Sequence, residues 1–127
     1  MIVVNGIKAM VDRFYNESPT YGHPVEFSVG INQTTPEFND TELDDEIEFE
    51  DGITEKEFVS GYPIVTLSDY SAKFRMFINS LEANDEDIDS VAIKDSSGNV
   101  YSINKFEPQT KTSAVEISII KSEIWRE

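Results

Sequence analysis

The sequence predicts a mainly β chain, an antiparallel β-sandwich of about seven strands with one N-terminal α-helix. Three observations carry this expectation. From residue 25 onward apolar side chains recur at every second position in short runs, the spacing of strands with one face on a core. Turn residues separate those runs at intervals of roughly ten positions, as in sandwiches. A 3.6-residue apolar period occurs near the start of the chain and gives the one clear helix.

The 127 residues fit a single domain spanning 1–127, with one core. Ten Lys and Arg stand against 25 Asp and Glu, a formal net charge of −15. Eight Phe, five Tyr and one Trp set the chain apart from acidic disordered sequences, which are poor in aromatics. So acidic a chain is ill suited to neutralising phosphates, and no direct nucleic-acid binding is expected. The absence of cysteine removes disulfides, thiolate nucleophiles and cysteine-based metal sites. The first residues lack the basic and apolar regions of a secretory signal, and no apolar run approaches the ~20 residues of a membrane span. A soluble protein without membrane contact is the expectation.

The helix is predicted over about residues 6–16. Ile7, Met10, Val11, Phe14 and Tyr15 form its apolar stripe, Asn5 is the expected N-cap, and Pro19, Gly22 and Pro24 stop it. The stripe suits packing on its own sandwich or on a neighbour. Val25, Phe27, Val29 and Ile31 then make a strand. A long acidic loop and edge follow over about residues 32–60, with Phe38 and Leu43 expected to pin the loop to the body. Within it Ile47 and Phe49, then Ile53, Phe58 and Val59, flank Asp51-Gly52, a hairpin signature.

Further along, Ile64, Val65 and Leu67 read as a strand, as do Phe74, Met76 and Ile78. The clearest hairpin runs from Val91 and Ile93 through Asp95-Ser96-Ser97-Gly98 to Tyr101 and Ile103, with Gly98 able to take a positive φ. In the last strand Val115, Ile117 and Ile119 share one phase of the alternation whereas Ile120 and Ile124 share the other. That phase change predicts a bulge near Ile119-Ile120.

Candidate chemistry is sparse. The one histidine, His23, lies in a Gly-His-Pro turn, and no nucleophile elbow accompanies it. No catalytic residue and no cofactor is therefore expected. Asp85, Asp87 and Asp89 occupy positions one, three and five of an EF-hand-like spacing, but Ser90 and Ser96 replace the loop's glycine and bidentate glutamate. They are weak metal candidates. The densest charge run, Glu37 to Glu57, holds 11 acidic residues in 21 positions with Lys56 as its one cation. It fits a solvated edge protected against further strand pairing, or a surface that meets a basic partner. Glu37, Asp44, Asp45 and Glu48 in this run, together with Trp125, are the candidate protein-interface residues.

The order of motifs resembles small structural proteins from tail and baseplate modules of tailed bacteriophages. Asn5, Gly6 and Lys8 match that family's helix start, and Pro24, Phe27, Val29 and Gly30 its first strand. Thr34, Thr35 and Pro36 match its loop, followed by Asp40, Thr41 and Leu43. Ala83, Asn84, Ile88 and Gly98 continue the series, and Phe106, Pro108, Lys111 and Thr112 precede the last apolar strand. Asn32 stands where the family often has a second glycine, and Asp89 where it has glutamate. The resemblance implies a non-enzymatic virion protein, a tail baseplate or tail-fibre adaptor. Such a protein assembles in the host cytoplasm, binds other virion proteins through β-edges, and occurs in homo-oligomeric or symmetric copies. A capsid or neck decoration protein is one alternative. Another is an acidic DNA mimic that inhibits a DNA-handling protein. A carbohydrate-binding sandwich would be expected to show several exposed Trp and Tyr on one face, a cue that a single Trp does not supply.

Overall fold

The computed structural model describes residues 1–124, and these contain one helix, α1 (Val4–Tyr15), and seven strands. The strands are β1 (Glu26–Gly30), β2 (Lys56–Glu57), β3 (Ile64–Thr66), β4 (Ser71–Ile78), β5 (Glu86–Lys94), β6 (Val100–Lys111) and β7 (Ile117–Ile124). They form two antiparallel sheets, ordered β2-β1-β5-β6 and β3-β4-β7. The mainly β sandwich read from the alternation is the fold observed.

Alternation places Phe27 and Val29 of β1, Val91 and Ile93 of β5, and Phe74, Met76 and Ile78 of β4 between the sheets. Phe27 is fully buried, with the Phe49 ring edge-on at 5.4 Å and the Phe58 ring stacked at 6.3 Å. A second, smaller apolar cluster of Val3, Leu43, Ala92, Val100 and Ile103 lies on the outer face of the first sheet. Strand β5 is thus covered on both faces, and its run from Ile88 to Lys94 is buried without interruption.

Helix α1 begins earlier than expected. Its N-cap is Val3, not Asn5, because residues 1–3 first run along the β6 edge. There the Val3 amide donates to Tyr101 O at 3.0 Å and the Ile103 amide donates to Met1 O at 2.9 Å. The Val3 carbonyl, held in place, accepts from Gly6 and Ile7 and starts the helix. Gly6 permits the close approach that follows, since a Cβ there would stand 2.4 Å from Tyr101 O. At the other end the Asp12 carboxylate accepts from the amides of Thr20 and Tyr21 at 2.8 and 2.9 Å and from Asn16 Nδ2. The Tyr21 bond first, then that from Asn16, holds the Asp12 pKa below its usual value.

Three further expectations from the sequence are corrected. Asp51-Gly52 does turn, with Gly52 at φ +78°, but only a single bridge, Glu50 to Ile53, spans it. No hairpin forms because Ile47 and Phe49 leave the ladder to fill the core. Phe38 does not pin the acidic loop; it is 46% exposed and contributes its carbonyl to the Val4 amide, while Leu43 is buried as expected. The bulge at Ile119-Ile120 is absent, for β7 pairs with β4 in continuous register from Ile78↔Ile117 to Ser71↔Ile124.

The phase change in β7 has a different cause. Lys121 and Glu123 take the inward positions, and Ile120 and Ile124 point to solvent. Lys121 pairs with Glu123 and donates to Asn104 Oδ1 and to Ser102 Oγ, so the margin of the sandwich core at β6 and β7 is polar. Burial lowers the Lys121 pKa, and Glu123 partly opposes that shift. Replacing a buried ion pair by apolar side chains of similar volume is commonly neutral or stabilising by about 1–4 kcal/mol. A Lys121→Met, Glu123→Leu double variant is therefore expected to match or exceed the parent chain in urea midpoint, whereas Lys121→Met alone strands a buried carboxylate and lowers it.

Candidate functional site

The apolar stripe of α1 is the most distinctive surface feature. The helix buries only Gly6 and Ala9 against the body. Phe14 is 80% exposed and Tyr15 75%, and Met10, Val11 and Ile7 are exposed beside them. The two rings meet edge-to-face at 4.8 Å. With Met10, Val11 and Arg13 they line a shallow hollow of about 520 Å³. The sequence signals the stripe plainly, and the structure shows that it is not core in the isolated chain.

This face is held firmly from behind. Arg13 Nη1 donates to Tyr21 O at 2.8 Å, and Arg13 Nη2 donates to His23 Nε2 at 2.7 Å. His23 is thus a partner of the helix, in keeping with its reading as a turn residue. The 19–24 connection is fixed in turn by Asp95, which is fully buried at the β5–β6 hairpin. Its carboxylate accepts from the amides of Gly22, Ser97 and Asn99, from Asn99 Nδ2 and from the Tyr101 hydroxyl. Burial raises the Asp95 pKa, but these bonds outweigh burial and leave it below the usual carboxylate range. Burial and the bond to Asp95 push the Tyr101 phenol well above its ordinary pKa.

The acidic run lies along the side of β1 away from β5, and its Lys56–Glu57 end is β2 itself. Glu46 bridges to Gly30, and the Ile31 amide donates to Asp45 O at 3.1 Å. Part of its charge is consumed internally, since buried Lys94 bonds to Glu46 at 2.7 Å and to Glu55 at 3.2 Å. Of the interface candidates in the run, Asp44 accepts from the Thr34 hydroxyl and amide at 2.5 and 2.8 Å, which lowers its pKa. Glu37 donates its amide to Asp40 within a tight turn. Asp45 and Glu48 point to solvent with no side-chain partner among the described residues. Trp125 lies outside the described residues.

Asp85, Asp87 and Asp89 do not converge. Asp85 sits in the turn before β5, Asp87 accepts from the Thr110 hydroxyl on the surface, and Asp89 is buried and accepts from the Gln33 amide at 3.0 Å. The EF-hand-like spacing fails because β5 begins at Glu86 and extends the chain where a metal loop would coil. Among the described residues no group of three or more His, Asp or Glu side chains could hold an ion.

A groove of about 560 Å³ opens between the margins of β6 and β7, lined by Asn104, Phe106, Ile117, Ile119 and Lys121 among others. Beyond the bridge from residue 2, neither margin carries another strand among the described residues. Both are open β-edges. No described helix is long and apolar enough to cross a membrane. No protein-family model matches the chain, and no curated protein or solved structure matches it either.

Proposed function

We propose that the chain is a non-enzymatic virion structural protein, a tail baseplate or tail-fibre adaptor that binds neighbouring phage proteins. The observation that carries this reading is the apolar face of α1, with Phe14 and Tyr15 in solvent on a helix fixed to the body behind them. Exposed contiguous apolar faces of this kind mark protein contacts, and a rigid helix face is a standard docking element. The open margins of β6 and β7 suit the strand addition that the family resemblance implies. The order of motifs from Asn5 to Thr112 supplies the phage assignment.

Mass spectrometry of purified particles, produced by the genome that encodes the chain, is the test. The chain is expected in stoichiometric amount, and its absence from the particles would falsify the reading. Phe14→Asp is expected to change stability by less than about 0.5 kcal/mol, because the side chain is largely in solvent, and yet to prevent incorporation. A DNA mimic would instead be missing from particles and would bind a basic DNA-handling protein with steep salt dependence.

A further inference from the structure

The second sheet, β3-β4-β7, turns its outer face to solvent, and that face has a distinctive charge. Lys73 and Arg75 of β4 point outward, flanked across the ladders by Ile64 of β3 and by Ile120 and Ile124 of β7. The remaining outward positions carry Ser, Thr and Phe77. A chain with 25 acidic residues places none among these outward positions. Lys73 and Arg75 make no ion pair among the described residues. The face is therefore apolar and cationic on a strongly acidic protein.

The complementary surface lies on the first sheet. The acidic run beside β1 presents Glu42, Asp45 and Glu48 to solvent, and Phe38 and Ile53 in the same stretch of chain are 46% and 49% exposed. The run is anionic and includes exposed apolar side chains. We infer that the outer face of β3-β4-β7 docks onto the acidic segment of a second copy of this chain, joining copies head to tail. Pairing either surface with itself would set like charges opposite one another, which disfavours a two-fold dimer and leaves the heterologous contact. Repeated, such a contact closes into a ring or extends as a stack. The face of α1 takes no part in it and stays free for a different protein.

This inference deepens the assembly role proposed above and rests on it only for its setting, so its test uses the purified chain alone. Sedimentation velocity at about 150 mM salt, where charges more than ~8 Å apart are largely screened, is expected to show concentration-dependent association. Two charge-reversed variants separate the surfaces, Lys73→Glu with Arg75→Glu, and Asp45→Lys with Glu48→Lys. Each alone is expected to associate at least about 100-fold more weakly, with an unchanged thermal midpoint because all four side chains are exposed. An equimolar mixture of the two is expected to regain association, since each variant then meets its opposite charge. Should either pair of reversals perturb folding, Arg75→Gln alone is expected to weaken association about tenfold. A parent chain that stays monomeric at about 100 µM, variants that associate as the parent does, or a mixture that stays monomeric would each overturn the inference. None of these results bears on whether the chain is found in particles.

Discussion

Asp95→Ala is expected to cost about 3–5 kcal/mol of folding stability and to lower the melting temperature by about 10–20 °C. Four donors, the amides of Gly22, Ser97 and Asn99 and the Asn99 side chain, lose their acceptor together, and the Tyr101 hydroxyl is left with Gly22 O alone. Each buried donor left without a partner costs about 1–3 kcal/mol, offset where water reaches the turn. The same bonds fasten the 19–24 connection behind α1, so the variant is also expected to loosen the helix that carries Phe14 and Tyr15. Amide exchange across residues 4–15 is expected to accelerate before global unfolding does. The acid side follows from the lowered Asp95 pKa. Its contribution is complete above the unfolded carboxylate pKa of about 3.9 and is lost as pH falls through the lower folded value. Asp95→Asn therefore removes part of the parent's pH dependence below about pH 4, read from denaturant midpoints across that range.

Phe27→Ala is expected to cost a further, independent 3–5 kcal/mol or so. The side chain is fully buried and lies against the rings of Phe49 and Phe58. Truncation opens a cavity that the paired backbones of β1 and β5 cannot collapse into, because their register is fixed from Glu26↔Lys94 to Gly30↔Ser90. Against a typical total of about 5–15 kcal/mol, this loss leaves the domain marginal at 37 °C. Equilibrium denaturation in urea checks it, and a loss under about 1 kcal/mol would place Phe27 at the periphery rather than the centre of the core.

Most of the sandwich is legible in the sequence because most of its strands have one face on a core. Phe27 and Val29, Phe74, Met76 and Ile78, and the Asp95–Gly98 turn each carry a local pattern that tertiary packing leaves intact. What escaped the pattern depends on contacts between distant segments. Asn5 reads as an N-cap from its type, but residues 1–3 bond to β6 and set the helix start at Val3. Ile47 and Phe49 alternate as a strand would, yet they fill the core from an irregular segment. In the second half of β7 the alternation is real but its polarity is reversed, since Lys121 and Glu123 satisfy each other inside while Ile120 and Ile124 face outward. Apolar periodicity locates a face without saying what covers it. The stripe of α1 is the same case, for its 3.6 period is evident while its exposure is visible only in three dimensions.

Under the proposed function, the helix face of Met10, Val11, Phe14 and Tyr15 is a docking surface in the assembled particle. Hydroxyl-radical footprinting of the purified chain and of intact particles is the decisive comparison. Met10, Phe14 and Tyr15 are expected to oxidise readily in the free chain and to be at least about fivefold protected in the particle, as partner burial requires. Equal oxidation of these three residues in both states would contradict it.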